Sequence, residues 1–240
     1  AKAMHQLIEM IAVREGIGDI LADGVRAAAQ HFGQGSEDFA VHAKGLELPM
    51  HDPRSNQTMG PTYATGGRGG SHSESLAVYV EEGVDIKGMG FASNVDPHST
   101  EGKAYITARM NELMAVYDGL GLCKFLLGAG MTVDNMVQMI NLVTGWDLSK
   151  QAMIDAGDRI FTVKRLYNHQ QGIDGKDDIV SPRVMKDPQP DGGCAGVLPD
   201  MNKMLPELYE QRGWDKHGRV TEATAIRLGL AAYMPEKRVR

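Results

Sequence analysis

Apolar residues at Met4, Leu7, Ile8, Ile11 and Ala12 recur with the spacing of one helical stripe, so the chain is predicted to open in an amphipathic helix. Gly16 and Gly18 interrupt it, and Asp19 is expected to cap a second helix carrying Leu21, Val25, Ala28 and Phe32, closed by Gly33. A long helix is predicted over about 99–117 from Ile106, Met110, Leu113, Met114 and Tyr117. Thr132 is expected to cap a helix carrying Met136, Val137 and Ile140, and Asp147 or Ser149 to start another that runs towards Asn168. Two further helical patterns, 200–212 and 221–232, finish the chain. Strand-like alternation is scarce, AVYVEEGVDI at 77–86 being the ambiguous stretch. KGLELPMHDPR at 44–54 has two prolines and no period, so it reads as an ordered connector; TGGRGG at 65–70 reads as a glycine-rich loop. Residues 172–198, rich in Gly, Pro and Asp, read as a long irregular excursion. Ser71 and Glu74 have capping-box spacing, which predicts a helix with His72 at its first position. The fold class read from these patterns is all-α, multihelical, with long glycine- and proline-rich loops.

A length of 240 residues suits one sizeable core, or one core with a small appendage. The 42% apolar and 23% charged composition is that of an ordinary globular chain, and the 15 methionines read as flexible core filler. A net charge of −6 with scattered Lys and Arg argues against a nucleic-acid partner; the basic tail KRVR at 237–240 reads as a solvated end. Two cysteines are too few for a disulfide framework, which points to a reducing, cytoplasmic compartment. No apolar run approaches the roughly 18 residues of a membrane span, and no signal peptide is apparent. The first residues already lie inside a helical pattern and lack an initiator Met, so the chain is expected to be a fragment of something longer.

Candidate chemistry concentrates in two places. In YDGLGLCKF at 117–125, Asp118 is an acceptor for an amide-bearing heterocycle, Gly119 and Gly121 remove side chains where a flat ligand could lie, and Cys123 could be a thiolate ligand. One cysteine cannot hold an iron–sulfur cluster alone. At the end of TGGRGG, a helix N-terminus would tend to keep His72 neutral and able to accept a proton, while Arg68 could meet an anionic group. The same residues also fit a surface loop with an incidental histidine. GGRGG follows no strand and is not a dinucleotide fingerprint. HDPR at 51–54 and DPH at 96–98 look like turns, Asp177 and Asp178 like a solvated turn, and the remaining histidines show no paired ligand spacing.

Seven stretches, in order, resemble the C-terminal part of the aldehyde ferredoxin oxidoreductase family. They are IAVREGIGDILADGVR (11–26), KGLELPMHDPR (44–54), YATGGRGGSH (63–72), DGLGLCKF (118–125), AGDRIFTVKRLYN (156–168), DDIVSPR (177–183) and ELYEQRGWDKHGRVT (207–221). The resemblance implies a tungsten or molybdenum bis-pterin with a nearby 4Fe-4S cluster, oxidation of aldehydes to carboxylic acids, and ferredoxin as electron acceptor. It implies that residues 1–50 end a middle helical domain and 51–240 form the last one. It maps Asp118 to a pterin-binding acid, Leu122 and Gly121 to the cofactor-side turn, Cys123 to the fourth cluster ligand, Arg68 to the cofactor surface and His72 to the group beside the metal that orients the aldehyde oxygen and moves a proton. The family's other cluster cysteines, second pterin turn and N-terminal region of the same protein precede the matched part. The isolated chain is therefore expected to bind neither cofactor and to be inactive, with a homodimer possible. Met50-His51 departs from the aromatic residue common before DPR in the family, and Cys194 matches no motif and reads as structural. A non-catalytic helical scaffold, or part of a related aromatic-thioester reductase, are the alternatives.

Overall fold

The fold, a computed structural model, describes residues 1–235, so the tail KRVR lies outside the described residues. It is mostly helical, with one two-stranded antiparallel hairpin among the described residues. Helices α1 (Lys2–Val13), α2 (Ile17–Leu21) and α3 (Gly24–Phe32) come first. The apolar stripe of α1 forms as expected but packs mainly on α2, and no residue of α1 is buried. Gly18 is where α2 meets α1, because a Cβ there would overlap the backbone of Met10. Asp19 does not cap: it lies inside α2 and pairs with Arg14 at 2.9 Å, and Asp23 precedes α3 instead.

The expected connector begins in the turn of a hairpin, β1 (His42–Ala43) and β2 (Leu46–Glu47), which reverses at Lys44-Gly45. Helix α4 (Met59–Thr65) follows, every residue of it buried, and then α5 (Val78–Glu81), which resolves the ambiguous 77–86 stretch as a short helix. The centre of the molecule is α6 (Lys103–Leu120), which starts four residues later than predicted and buries Ile106, Met110, Leu113, Met114 and Tyr117. Helix α7 (Val133–Thr144) is capped by Thr132, whose Oγ1 accepts from Asn135 N at 3.0 Å. Helix α8 (Lys150–Gln170) is capped by Ser149, which accepts from Ala152 N at 3.1 Å. Two of the predicted starts therefore hold for the stated reason. The excursion is broken by α9 (Pro182–Lys186), and α10 (Met201–Arg212) and α11 (Glu222–Arg227) close the chain.

Helices α8 and α10 both pack on α6. Gly157 sits at the crossing of α8, where a Cβ would overlap the backbone of Glu112. This close approach carries Lys164 and Asn168, further along α8, past the C-terminal end of α6.

Within the KDD motif Lys176 and Asp177 lie in an open turn, but Asp178 is not solvated. Asp178 has 0% side-chain exposure and holds Arg165 through two bonds of 2.8 and 2.6 Å, Tyr209 Oη at 2.8 Å and Lys44 Nζ at 3.0 Å. Arg165 also lies over the Trp214 ring at 4.5 Å and donates to the Gly218 carbonyl. Burial pulls the Lys44 ammonium down, and Asp178 opposes that shift. Lys44 donates to the Ala64 carbonyl as well, so this buried centre ties the hairpin, α4, α8 and α10 together. Apolar side chains remain exposed at Phe125 and along the end of α7, at Leu142, Val143 and Trp146.

Candidate functional site

The glycine loop at 66–70 leaves α4 and lies directly against the hairpin. Gly69 has φ +96°, and a Cβ there would overlap the Ala43 carbonyl oxygen; a Cβ on Gly70 would lie 2.6 Å from that of Leu46. These two glycines therefore let backbone pack on backbone. Both polar groups of Gly67 are fixed: its N–H donates to Glu74 Oε2 at 3.0 Å, and its carbonyl accepts from Asn168 Nδ2 at 2.7 Å. Arg68 projects from the exposed tip and donates to Ser71 Oγ at 2.8 Å, with no carboxylate partner among the described residues.

The expected capping box does not form. Residues His72–Glu74 make a single 3-10 turn without a side-chain cap, because the Glu74 carboxylate turns back to Gly67. A turn this short has no appreciable dipole to keep His72 neutral. Burial instead pushes the His72 imidazole below its ordinary range, helped by His51, Lys124 and Arg68. The ring of His51, read from sequence as part of a turn, stands 4.5 Å from that of His72.

The cysteine turn is a helix end. Gly121 takes the left-handed conformation at φ +67°, Leu122 N donates to Tyr117 O at 2.9 Å, and Gly121 N donates to Asp118 O at 3.2 Å. Open space surrounds the missing Cβ of Gly121, and its positive φ by itself favours glycine there. Asp118 thus lies in the last turn of α6, not beyond it. Leu122 packs against the main core, and Cys123 follows as an exposed free thiol.

Lys124 joins the two places. Its Nζ forms an ion pair with Asp118 Oδ1 at 2.8 Å and donates to the Ser73 carbonyl at 2.5 Å, linking the Cys123 turn to the residue after His72. Lys164 of α8 stands 3.5 Å from Asp118 and 3.9 Å from Glu74. Between these groups opens a cleft of about 630 Å³, lined by Arg68, Asp118, Lys124, Lys164 and Tyr167 among others. Of the sequence-predicted residues, Arg68 and Asp118 line it, while His72 and Cys123 each adjoin a lining residue, Ser73 and Lys124. Gly121 and Leu122 shape the turn without lining the cleft. Sequence reading missed Lys124 and Lys164; the lysine after Cys123 was visible, but its reach across 51 residues to Ser73 was not.

This helical region presents a cleft at its surface, between a loop and a helix end, and the relatives that match it are oxidoreductases. The family description aldehyde ferredoxin oxidoreductase, domains 2 and 3, matches residues 1–230. Tungsten-containing aldehyde ferredoxin oxidoreductases of Thermococcus kodakarensis and Pyrococcus horikoshii are 34% and 36% identical over 235 residues, 97% of this chain and 37% of each relative. A Pyrococcus furiosus aliphatic sulfonate oxidoreductase, WOR-like subunit, is 28% identical over 100% of the chain and 36% of that protein. The active site complex BamBC of benzoyl coenzyme A reductase shares the fold, with a TM-score of 0.68 at 22% identity over 95% of this chain and 38% of that one. The chain belongs to the aldehyde ferredoxin oxidoreductase family. It spans little more than a third of the length of the curated relatives it matches.

Proposed function

We propose that the chain is the C-terminal portion of a tungsten- or molybdenum-pterin oxidoreductase that oxidises aldehydes to carboxylic acids and passes electrons to ferredoxin in the cytoplasm. Residues 1–50 would end the middle domain and 51–240 form the last. The observation that carries this reading is the Lys124 bridge, which joins the Cys123 turn to the His72 turn beside one open cleft.

The residues fit such a group. The Cys123 thiol is free and exposed, and Asp118 keeps acceptor capacity beyond its two lysines on a carboxylate that is 42% exposed. Arg68, Lys124 and Lys164 outnumber the carboxylates Asp118 and Glu74, which suits an anionic cofactor surface. No cluster of three or more His, Cys, Asp or Glu suited to a metal ion occurs among the described residues, so Cys123 would contribute one ligand to a set completed elsewhere.

When bound, the metal–pterin group and its cluster supply the two-electron oxidation and the outlet for electrons. Asp118 would hold the pterin by accepting its N–H groups, and Arg68 would face its anionic part. His72, held neutral, would donate a hydrogen bond to the aldehyde oxygen or take a proton from the water that adds to the aldehyde carbon. Without the region that completes the site, the isolated chain would be inactive.

In the full-length protein, His72→Asn is expected to lower aldehyde-dependent ferredoxin reduction by about 10²–10⁴-fold with unchanged tungsten, molybdenum and iron content. A wild-type rate in that variant would remove His72 from the reaction, and no aldehyde oxidation by the wild type would remove the reading altogether.

A further inference from the structure

The histidines at 51 and 72 come from separate segments, one in the loop after the hairpin and one opening the 3-10 turn. Their ring centroids lie 4.5 Å apart with planes tilted by 37°. The loop that carries His51 is pinned at two points. Its own carbonyl accepts from the buried Tyr63 Oη at 2.7 Å, and Arg54 grips both Asp52 and the Asp187 carbonyl. The two rings are therefore set against each other by the fold.

The charged surroundings are one-sided. Arg68 from the glycine loop and Lys124 from the Cys123 turn face His72 as cations. The nearby carboxylates are turned elsewhere: Glu74 to Gly67 N, Asp118 to Lys124 and Lys164, and Asp52 to Arg54. A second proton on the pair would put two cations within one ring-to-ring separation beside two more, which Coulomb repulsion disfavours.

We infer that His51 is a positioning residue for His72: from a separate, pinned segment its ring packs at a tilt against the His72 ring and, beside Arg68 and Lys124, leaves no room for a further positive charge, so that the His72 imidazole stays able to accept a proton. The inference rests on the reading of His72 as the group at the substrate oxygen. Burial and the neighbouring His51 both act on His72 in the required direction. An aromatic residue in place of His51 could stack but could not hold a charge, so His51→Phe separates the two contributions.

The test is an imidazole ¹⁵N titration of the histidine-labelled full-length protein by NMR from about pH 5 to 8. Wild type is expected to show His72 titrating below the ordinary imidazole range. In His51→Phe, His72 should titrate in one step, about half a unit or more above its wild-type position. Should that variant not fold, His72→Asn supplies the reciprocal readout on His51, since coupling between two sites is mutual. In the full-length enzyme the acid limb of kcat/KM should move in the same direction. Titration of each histidine unaltered by loss of the other overturns the inference even if aldehyde oxidation proceeds. Coupled titration in an enzyme that oxidises no aldehyde would sustain the pair and remove only its assigned use.

Discussion

Asp178 and Asp118 are both held by cations reaching from distant elements. Asp178, with 0% side-chain exposure, is enclosed by Arg165, Lys44 and the Tyr209 hydroxyl. Asp118, 42% exposed, touches Lys124 and Lys164 at the rim of a cleft. At the first, two cations and a hydroxyl occupy one carboxylate that is shut from solvent, and nothing is left to offer a ligand. At the second, the carboxylate is open to solvent and keeps free acceptor positions beside a cleft. A buried, fully bonded cluster fixes where elements stand, and a half-open one beside a cleft is where binding can occur.

The largest expected effect breaks the buried member. Asp178→Ala leaves Arg165 and Lys44 without their shared partner and should cost about 3–5 kcal/mol of stability, measured by urea unfolding. Asp118→Ala should stay within about 1 kcal/mol in the same assay. Similar losses in the two variants would erase the distinction drawn between them.

A smaller effect comes from His169, one turn beyond Arg165 on α8. Its Nε2 is buried without a partner, and burial, with the Arg165 charge beside it, lowers its pKa from 6.5 to about 4. The unfolded chain therefore binds this proton more readily than the folded one. The His169 contribution is complete above about pH 6.5 and is lost as pH falls towards 4, amounting to about 2 kcal/mol once partial solvent access is allowed for. His42 and His72, also held below the ordinary value, act in the same sense. Unfolding midpoints measured over this window should fall with acid, and His169→Gln should flatten the curve. An equal slope in that variant would assign the acid sensitivity to other groups.

Much of the helical frame was legible because its signals are local. The Thr132 and Ser149 caps, the Gly33 end and the apolar face of α6 each need only a few neighbouring residues. Where partners are far apart in sequence, the reading failed. Asp178 looked solvated because Lys44 is 134 positions away, while Arg165 and Tyr209 are 13 and 31 away. Ser71 and Glu74 had capping-box spacing, but Gly67 offered the glutamate a better-placed donor. TGGRGG read as a glycine-rich loop, with no local sign that Gly69 and Gly70 pack against the hairpin. At the site, Arg68, Asp118, His72 and Cys123 were singled out from residue type and resemblance. The lysines that draw the segments together were left out, because their long side chains act across the fold.

The central claim is that the exposed thiol beside Lys124 serves a metal cluster, and Cys123→Ser in the full-length protein tests it most directly. Iron content and the electron paramagnetic resonance signal of the reduced cluster would be compared with wild type, alongside the thermal midpoint as a check on folding. The expected result is loss of the 4Fe-4S signal with the midpoint shifted by only a few degrees, about what a change of roughly 1 kcal/mol produces. A variant that keeps its full iron complement and an unchanged signal would contradict the claim and leave this turn a structural helix end.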